Sequence, residues 1–554
     1  MTAGLDVALT PLRFLDRSAT IYPDRTACVD GPRRVTFARM HRDAERMARA
    51  LLRRGLRPGG RVGMLASNSY EALLAQFAVP LAGGVLVPIN TRLAPAEVRY
   101  ICDHAGIGIL FGEQDLILAC RRTLGSAGLV DTFVLIHDAD GTQPQPRFPD
   151  SGVVTTVDEF LAEGDGDGND GDVPLTYTVK DEDAAIAINY TSGTTGRPKG
   201  VVYTHRGAYL AALGMVMTHT YTRDTVYLWT LPMFHCSGWC TGWAAMAASA
   251  TQIALRAVRG PEIWRLIDEE GVTGLCGAPA VLSTIVGAEE AHPVSGLSVA
   301  TAGAPPSPTV IGACEDLGID VIHVYGLTET YGPTVACAPQ PGWGSLSTAE
   351  RARLKSRQGL AMVTSEEVRV VEQIGKDTPQ DVTLVDVPQD GVTMGEVVMR
   401  GNIVMREYFH NPDATAEAFR GGWFHSGDLA VKHPDGYIQI LDRAKDVVIS
   451  GGENISTIEV EQAIISHPSV ADVSVIGVPD EKWGEALRAY VVLSPDAEPG
   501  PTLEQSVVDH CRGLIAGYKV PRDYRVIDEL PRTSTGKVRK NVLRDGAGDG
   551  SPDA

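Results

Sequence analysis

The sequence predicts an α/β protein with a large N-terminal domain of parallel-sheet α/β subdomains and a small α+β C-terminal domain. Three observations lead to this fold class. The chain has 554 residues, which is more than one ordinary hydrophobic core accommodates. Apolar strand-like segments alternate with helix-like segments up to residue 440, as in repeated β–α units. Beyond residue 445 a compact mixture of strands and helices follows, of a size that is normal for one domain.

Strands of the large domain are expected where short apolar runs stand between turn signals. These runs are GRVGMLAS (60–67), GVLVPIN (84–90), GIGILFGE (106–113), TFVLIHD (132–138), AAIAIN (184–189), TVYLWTLP (225–232) and TQIALRA (251–257). A helix is expected within residues 36–56, where Met40, Ala44, Met47 and Leu51 share one face and Gly55 ends the helix.

The C-terminal segments predict a separate α+β domain. Ser456 and Glu459 form a capping box at the start of a helix, and a second helix is expected over 502–515. Strands are expected over 470–478, 485–493 and 523–530. We therefore divide the chain into an N-terminal domain (1–442), a hinge (443–446), a C-terminal domain (447–544) and a disordered tail (545–554).

Composition and charge exclude several classes of protein. The formal net charge is -20, with 69 acidic and 49 basic residues, which argues against a nucleic-acid-binding protein. The N-terminus lacks the pattern of a signal peptide, and no apolar run is long enough to span a membrane. The nine cysteines show no paired spacing, so we expect free buried thiols and a cytoplasmic protein.

The segment YTSGTTGRPKGV (190–201) concentrates glycines, hydroxyl side chains and two cations after the expected strand 184–189. Glycine lets backbone N–H groups approach an anion, and hydroxyls and a lysine add donors and charge. The segment is not a common P-loop, because Pro198 stands where that motif requires glycine. It predicts either a phosphate cradle or an ordinary surface loop. Thr204 is the expected N-cap of the helix that follows.

Four further segments, taken together, contain residues that suit a functional site. YGLTETYGP (325–333) offers Tyr325 to stack on a purine and Glu329 to hold a magnesium ion on phosphates. WFHSGDLA (423–430) places Asp428 in a turn, where a carboxylate suits two ribose hydroxyls. LDRAKDVVISGGENIS (441–456) is charged and ends in a glycine pair, and PRTSTGKVRK (531–540) presents Lys537. Each segment alone is equally typical of packing, a turn, a charged hairpin or a surface loop.

In this order the segments resemble the motifs of the adenylate-forming superfamily of acyl-CoA synthetases, aryl-CoA ligases, adenylation domains and luciferases. The resemblance runs from about Thr10 to Arg544. In addition, LPMFHCSGWC (231–240) resembles the acyl-pocket motif of medium-chain and aromatic acyl-CoA synthetases. Close relatives commonly carry Asn at the position of Ser237, so the motif leaves the acid open.

The resemblance implies ATP-dependent conversion of a fatty or aromatic carboxylic acid to an acyl-adenylate and then, with CoA, to acyl-CoA and AMP. The implied ATP-binding residues are Thr191, Ser192, Gly193, Thr194, Thr195, Gly196, Lys199, Gly303, Ala304, Pro305, Tyr325, Gly326, Thr328, Asp428, Arg443 and Lys537. The implied acyl pocket consists of His235, Cys236, Ser237, Trp239, Gly303, Gly326 and Pro333. Magnesium is assigned to Thr191 and Glu329, and the implied catalytic residues are Lys537, His235, Glu329 and Thr191.

The resemblance also implies a mobile C-terminal domain that rotates about Lys445 between the two half-reactions. CoA is then assigned to Gly451, Gly452 and Glu453. Two alternatives remain open: an adenylate-forming enzyme with another acceptor (a carrier protein, an amine, or nitrite activation for diazotisation of an aromatic amine), and a non-catalytic nucleotide-binding protein. The expected partners are small molecules, with no nucleic acid and no membrane span, and a homodimer is compatible with the sequence.

Overall fold

The structure is a computed structural model, and it describes residues 6–125, 130–136, 153–165, 174–191, 197–375, 377–444, 446–450, 453–480, 483–495, 497–533 and 536–548. Among these residues, no helix combines the length and the apolar composition that crossing a membrane requires. The α-helices are Leu12–Ile21, Phe37–Arg53, Tyr70–Leu81, Pro95–Ala105, Gln114–Gly125, Val157–Glu163, His205–His219, Thr241–Ala247, Gly260–Glu270, Pro279–Val286, Pro308–Asp316, Thr348–Lys355, Pro412–Ala418, Thr457–Ile465, Pro501–Arg512 and Lys540–Gly548.

The strands are β1 (Thr26–Asp30), β2 (Arg33–Thr36), β3 (Arg61–Leu65), β4 (Val85–Pro88), β5 (Ile107–Glu113), β6 (Thr132–Ile136), β7 (Val153–Thr156), β8 (Ala185–Thr191), β9 (Lys199–Thr204), β10 (Val226–Trp229), β11 (Thr251–Ala254), β12 (Gly274–Gly277), β13 (Ser298–Thr301), β14 (Asp320–Leu327), β15 (Gly332–Ala336), β16 (Leu360–Ala361), β17 (Glu367–Val371), β18 (Met394–Arg400), β19 (Phe424–Lys432), β20 (Ile438–Arg443), β21 (Val448–Ser450), β22 (Glu453–Ile455), β23 (Val470–Asp480), β24 (Gly484–Leu493) and β25 (Asp523–Val526).

Two sheets of mainly parallel strands build the large domain, which confirms the predicted fold class. The first has the order β16-β15-β14-β13-β12-β10-β11-β1-β2, and the second has the order β7-β6-β5-β3-β4-β8-β9. The helix Tyr70–Leu81 is buried on every side, so its carboxylate Glu71 needs a partner and forms an ion pair of 2.5 Å with Arg33. The predicted helix face of Met40, Ala44, Met47 and Leu51 is fully buried in Phe37–Arg53.

An antiparallel sheet of order β17-β18-β19-β20 precedes the C-terminal domain, and the sequence analysis did not anticipate it. Its strands mix buried with half-buried positions instead of forming continuous apolar runs. One-sided antiparallel strands give a weaker signal than the buried strands of a parallel sheet.

The C-terminal domain is an α+β unit, as predicted. Its sheet has the order β22-β21-β24-β23, with β25 beside β24. Half of the expected capping box is present: the hydroxyl of Ser456 accepts a hydrogen bond from the N–H of Glu459 (3.1 Å). The carboxylate of Glu459 instead pairs with Lys519 at 2.8 Å, because a charged partner lies within reach.

The chain end differs from the prediction of a tail that begins at residue 545. The helix Lys540–Gly548 continues into that segment. Its anchors are Leu543, which packs in the cluster of Ile476 and Leu530, and Arg544, which forms an ion pair of 2.6 Å with Asp446. Helical hydrogen bonding propagates from such anchors into the next turn.

Candidate active site

The predicted phosphate segment joins two antiparallel strands, β8 and β9. Thr191 and Lys199 are paired across this hairpin. Their side chains therefore lie on the same face of the sheet. The predicted phosphate-loop residues Ser192, Gly193, Thr194, Thr195 and Gly196 lie outside the described residues. As predicted, the side chain of Thr204 caps the next helix and accepts a hydrogen bond of 3.0 Å from the N–H of Gly207.

The helix Pro95–Ala105 holds both arms of this hairpin. The hydroxyl of Tyr100 donates to the carbonyl oxygen of Pro198 at 3.2 Å. On the other arm, the Tyr190 hydroxyl lies 2.7 Å from Nδ1 of His104. Burial and the neighbouring His410 lower the pKa of His104, so this imidazole is neutral at pH 7. The helix therefore fixes the residues on each side of the loop.

Three of the residues predicted to bind the nucleotide, buried Asp428 and half-buried Tyr325 and Arg443, contact one another. The Tyr325 hydroxyl donates to Oδ2 of Asp428 at 2.7 Å, and Nε of Arg443 lies 3.0 Å from Oδ1 of the same carboxylate. Asp428 and Arg443 are opposite each other on β19 and β20, so the sheet register creates this ion pair. The attraction of Asp428 raises the pKa of Arg443, while burial raises the pKa of Tyr325 and keeps its hydroxyl protonated.

Glu329 lies in a 3₁₀ turn, Thr328–Thr330, directly after β14. The Tyr203 hydroxyl of β9 donates to the carbonyl oxygen of Thr328 at 2.7 Å, which joins this turn to the phosphate hairpin. The Tyr408 hydroxyl donates to Oε1 of Glu329 at 2.7 Å. Among the described residues, the Glu329 carboxylate forms no ion pair within 4.0 Å, and the charge of Arg443 acts on it from a greater distance.

The donor set fits magnesium. Within the described part of the chain, no group of three or more His, Cys, Asp or Glu side chains is placed to hold a metal ion. Magnesium is commonly bound by one or two protein groups together with phosphate oxygens and water. A single carboxylate, Glu329, and a hydroxyl, Thr191, on connected elements match that mode of binding.

The acyl-pocket motif forms a left-handed turn. The φ angles are 51° at Cys236, 48° at Ser237, 62° at Gly238, 55° at Trp239 and 59° at Cys240. Left-handed backbone costs roughly 1–2 kcal/mol for each residue other than glycine, so the surrounding structure must stabilise this turn.

Contacts from three of its residues, Cys236, Ser237 and Trp239, hold the turn in place. The N–H and the hydroxyl of Ser237 both donate to Oδ1 of Asn189, at 2.9 and 3.1 Å. Sγ of Cys236 lies 3.1 Å from Oγ1 of Thr328. Trp239 lies against Gly332, where a Cβ atom would come within 2.9 Å of it. Trp243, in the next helix, is fully buried and belongs to the core.

The remaining residues predicted for adenine and acid lie at the ends of the central strands. Gly303 and Ala304 are exposed after β13, and Pro305 is half-buried. Gly303 has φ +91°, which favours glycine. Gly326 pairs with Pro333 between β14 and β15, and a Cβ atom at Gly326 would collide with the carbonyl oxygen of Gly332.

The loop that carries Lys537 packs against the large domain. Thr533 N–H donates to the Lys537 carbonyl oxygen at 2.7 Å and closes the loop. A Cβ atom at Gly536 would lie 3.5 Å from Cβ of Ala278, at the start of the helix Pro279–Val286. Burial, with a smaller contribution from the charge of Lys537, lowers the pKa of His235 to about 4. His235 is therefore neutral and lies within the electrostatic reach of Lys537.

Contacts between the segments on the two sides of the predicted hinge stabilise the observed orientation of the C-terminal domain. The carboxylate of Asp442, at the end of β20, accepts hydrogen bonds of 2.6 Å from the N–H and the hydroxyl of Thr457. Nζ of Lys540 donates to the same Thr457 hydroxyl at 2.6 Å and lies 2.8 Å from Oε1 of Glu461. The predicted hinge residue Lys445 and the glycines Gly451 and Gly452 lie outside the described residues, as does the side chain of Glu453.

Sequence reasoning did not identify Tyr408, Tyr203 and Asn189 as parts of this site. Tyr203 and Tyr408 lie outside the quoted motifs, and Asn189 is the last residue of the apolar run before the phosphate segment. Their partners are 79, 125 and 48 residues away along the chain. No local pattern signals such contacts, because pairing between distant segments creates them.

The fold and the site together define an adenylate-forming enzyme. The chain belongs to the AMP-binding enzyme family: the family model matches residues 15–409, and the model of the AMP-binding enzyme C-terminal domain matches residues 459–537. This finding confirms the resemblance that the sequence motifs indicated.

Two relatives and one solved structure illustrate the similarity. The chain is 41% identical over 550 residues to an acetate–CoA ligase of Humulus lupulus, covering 97% of this chain and 94% of the relative. It is 41% identical over 551 residues to a peroxisomal acetate/butyrate–CoA ligase of Arabidopsis thaliana, again covering 97% and 94%. The o-succinylbenzoate–CoA synthetase of Bacillus subtilis, solved with ATP and a magnesium ion, matches with a TM-score of 0.77 and 26% identity, covering 96% and 98%.

Proposed function

We propose that the protein is an AMP-forming carboxylate–CoA ligase that uses ATP, magnesium and CoA. The observation that carries the proposal is the position of the Lys537 loop, which packs on the large domain within the electrostatic reach of His235. The ion pair of Asp428 and Arg443, with Tyr325, supplies the groups that we assign to the nucleotide. The full-length similarity to CoA ligases supports CoA as the acceptor.

In the first half-reaction, a carboxylate oxygen of the acid attacks the α-phosphorus of ATP, and the bond to pyrophosphate breaks. We assign Tyr325, Gly303, Ala304 and Pro305 to adenine, and Asp428 and Arg443 to ribose, with Thr328 and Gly326 beside the nucleotide. The phosphate hairpin, Thr191 to Lys199, is assigned to the leaving phosphates. Such chemistry depends on positioning and charge neutralisation, and no protein nucleophile is needed.

Magnesium, when bound by Thr191 and Glu329 with phosphate oxygens, supplies positive charge against the phosphates. Lys537 supplies a second positive charge where the attacking carboxylate meets the α-phosphate. A positioned charge of this kind stabilises the transition state more than the ground state. Neutral His235 adds no competing charge and is assigned, with Cys236, Ser237, Trp239 and Pro333, to the acid.

In the second half-reaction, the thiol of CoA attacks the carbonyl carbon of the acyl-adenylate, and AMP leaves. We propose that the C-terminal domain (447–544) rotates against the large domain (1–442) about Lys445, within the hinge 443–446. Gly451, Gly452 and Glu453 are then assigned to the pantetheine arm. The contact between Asp442 and Thr457 lies on the border of these domains and supports the division.

The test is pyrophosphate release by the purified protein across aliphatic and aromatic acids, with and without CoA. We expect acid-dependent release with ATP and magnesium, loss of release with EDTA, and thioester formation when CoA is added. Release without any CoA-dependent product would favour an acceptor other than CoA. Absence of release with every acid would refute the proposal.

We also propose a cytoplasmic location and a role in fatty acid metabolism. The nine cysteines are all free and buried, which fits a reducing compartment. The name of one relative places that relative in the peroxisome, so the location of this protein needs its own test. Fractionation of cells that express the full chain with a small C-terminal tag provides it, and recovery in an organelle pellet would contradict the proposal.

A further inference from the structure

Tyr408 contacts two charged residues of the site, although it lies in none of the motifs that define the site. The residue follows β18 in a loop that passes beside the phosphate hairpin, and its side chain is buried, with 8% of its surface exposed. Its hydroxyl donates to Oε1 of Glu329 at 2.7 Å. Its ring faces Nζ of Lys199, which lies 4.7 Å from the ring centroid. One side chain thus contacts both an acidic and a basic candidate ligand of ATP.

The hydrogen bond to Glu329 fixes the direction of that carboxylate. The Tyr408 hydroxyl is the donor, because a carboxylate offers only acceptors. The bond occupies Oε1 and leaves Oε2 available to a cation. Groups that orient a metal-binding carboxylate in this way commonly change metal affinity or activity 10–100-fold when they are removed.

The contact with Lys199 has a different physical basis. An ammonium above an aromatic ring is attracted by the negative face of the π-system, by about 0.5–2 kcal/mol depending on exposure. The ring therefore restricts where the lysine ammonium lies without using any of its N–H donors. Those donors stay available for phosphate oxygens.

The backbone holds the Tyr408 ring in position. Tyr408 forms a bridge with Val201 of β9, and the N–H of Phe409 donates to the carbonyl oxygen of Gly200 at 2.7 Å. The N–H of Tyr408 itself donates to Oγ1 of Thr415 at 3.0 Å. These bonds tie the ring to the same strand that carries Lys199, so the ring and the hairpin keep a fixed spacing.

We propose that Tyr408 is a positioning residue that sets Glu329 for magnesium and Lys199 for the phosphates of ATP. This inference rests on the proposed function, because it assumes that magnesium–ATP is the ligand of the site. It assigns a role to a residue that lies outside all of the motifs quoted above. The two contacts are separable: the hydroxyl acts on Glu329, and the ring acts on Lys199.

The test is the affinity for ATP measured by isothermal titration calorimetry without acid, once with magnesium and once with EDTA. For Tyr408→Phe, which keeps the ring, we expect an affinity for magnesium–ATP about 10-fold lower. Its affinity for ATP in EDTA should stay within about two-fold of wild type, because the contact with Lys199 remains. Tyr408→Leu removes both contacts and should weaken binding under both conditions.

Tyr437→Phe is the matched control. Tyr437 is also buried, carries the Arg357 guanidinium 4.5 Å from its ring centroid, and accepts a hydrogen bond of 2.7 Å from Gln340. Its substitution should leave both ATP affinities unchanged. Wild-type affinity of Tyr408→Phe for magnesium–ATP would overturn the proposal, and so would an equal loss with magnesium and with EDTA. Failure of the proposed ligase activity would appear separately, as absence of pyrophosphate release by the wild type.

Discussion

The hydroxyl of Tyr325 donates a hydrogen bond of 2.7 Å to the carboxylate of Asp428, 103 residues further along the chain. The same carboxylate pairs with Arg443, so an aromatic ring, an anion and a cation are mutually oriented in the protein itself. A nucleotide that binds here meets groups whose conformations are already fixed. Such preorganisation lowers the entropy lost on binding.

The first prediction concerns Asp428→Asn. The substitution removes the negative charge that pairs with Arg443, whose side chain is partly buried, and so weakens the hold on that guanidinium. We expect the KM for ATP in pyrophosphate exchange to rise roughly 10–100-fold, equivalent to about 1.4–2.8 kcal/mol. Tyr325→Phe removes one hydrogen bond and keeps the ring, so it should raise the KM by about five-fold or less. A larger effect of Tyr325→Phe than of Asp428→Asn would contradict this ranking.

The second prediction concerns Lys537→Ala. Removing one preorganised donor at a developing charge lowers a rate by about 10²–10³. We expect pyrophosphate exchange to fall by that factor, whereas a supplied acyl-adenylate should still react with CoA. Lys519→Ala is the control, because Lys519 is in the same domain and pairs with Glu459. Equal loss of both half-reactions in Lys537→Ala would show that the lysine is not specific to adenylation.

The third prediction concerns Asp442→Asn, at the border of the two domains. Burial raises the pKa of Asp442, and its carboxylate accepts two hydrogen bonds from Thr457 while Lys540 lies nearby. The amide retains one acceptor but loses the charge, so the observed orientation of the C-terminal domain becomes less stable. Pyrophosphate exchange should fall by about 10-fold, equivalent to about 1.4 kcal/mol.

The same variant should convert a supplied acyl-adenylate to thioester at the wild-type rate or faster, since the C-terminal domain leaves this orientation more easily. Thr457→Val removes one of the two hydrogen bonds and should have a smaller effect. If Asp442→Asn slowed the thioester step more than pyrophosphate exchange, the contact would belong to the second half-reaction.

The fourth prediction is a loss of stability in acid. Burial lowers the pKa of His205, His219, His235 and His323 to about 4 each. The unfolded chain binds these protons near pH 6.5, so stability is complete above that pH and is lost as the pH falls toward 4. Each histidine contributes a loss of about 2 kcal/mol between pH 7 and pH 5.

Thermal unfolding midpoints measured between pH 7 and pH 5 test this prediction. In His323→Gln, the loss of stability between pH 7 and pH 5 should be smaller by the contribution of one histidine, even if the variant is less stable at pH 7. A pH-independent midpoint over this range would contradict the prediction.

The sequence predicted the parts of the fold that depend on local periodicity. The helix Phe37–Arg53 and the strands β3, β4, β5 and β8 follow directly from their apolar spacing. The antiparallel sheet β17-β18-β19-β20 was missed, because strands with half-buried positions lack that spacing. The capping partner of Glu459 was missed too, since Lys519 competes for it across 60 residues.

The residues of the candidate site were likewise predicted only in part. Motifs identified Tyr325, Asp428 and Arg443, and the structure brings these three together. Tyr408 was not identified, since an isolated tyrosine in a loop carries no functional signal in sequence. The left-handed turn at 236–240 was also not anticipated, because Gly238 is the only residue within it that favours such backbone.

That left-handed turn also bears on how the enzyme's choice of acid can be altered, by natural drift or by protein engineering. Most side chains introduced into it would keep the conformational penalty, and β-branched ones would increase it. Changes at Asn189 and Thr328 carry no such penalty, because each contacts the turn from a strand or a 3₁₀ turn without left-handed backbone. Gly332 is different, since its φ of +101° and the contact with Trp239 leave no room for a side chain. A mutant library aimed at new acids should therefore keep 236–240 constant and vary Asn189 and Thr328.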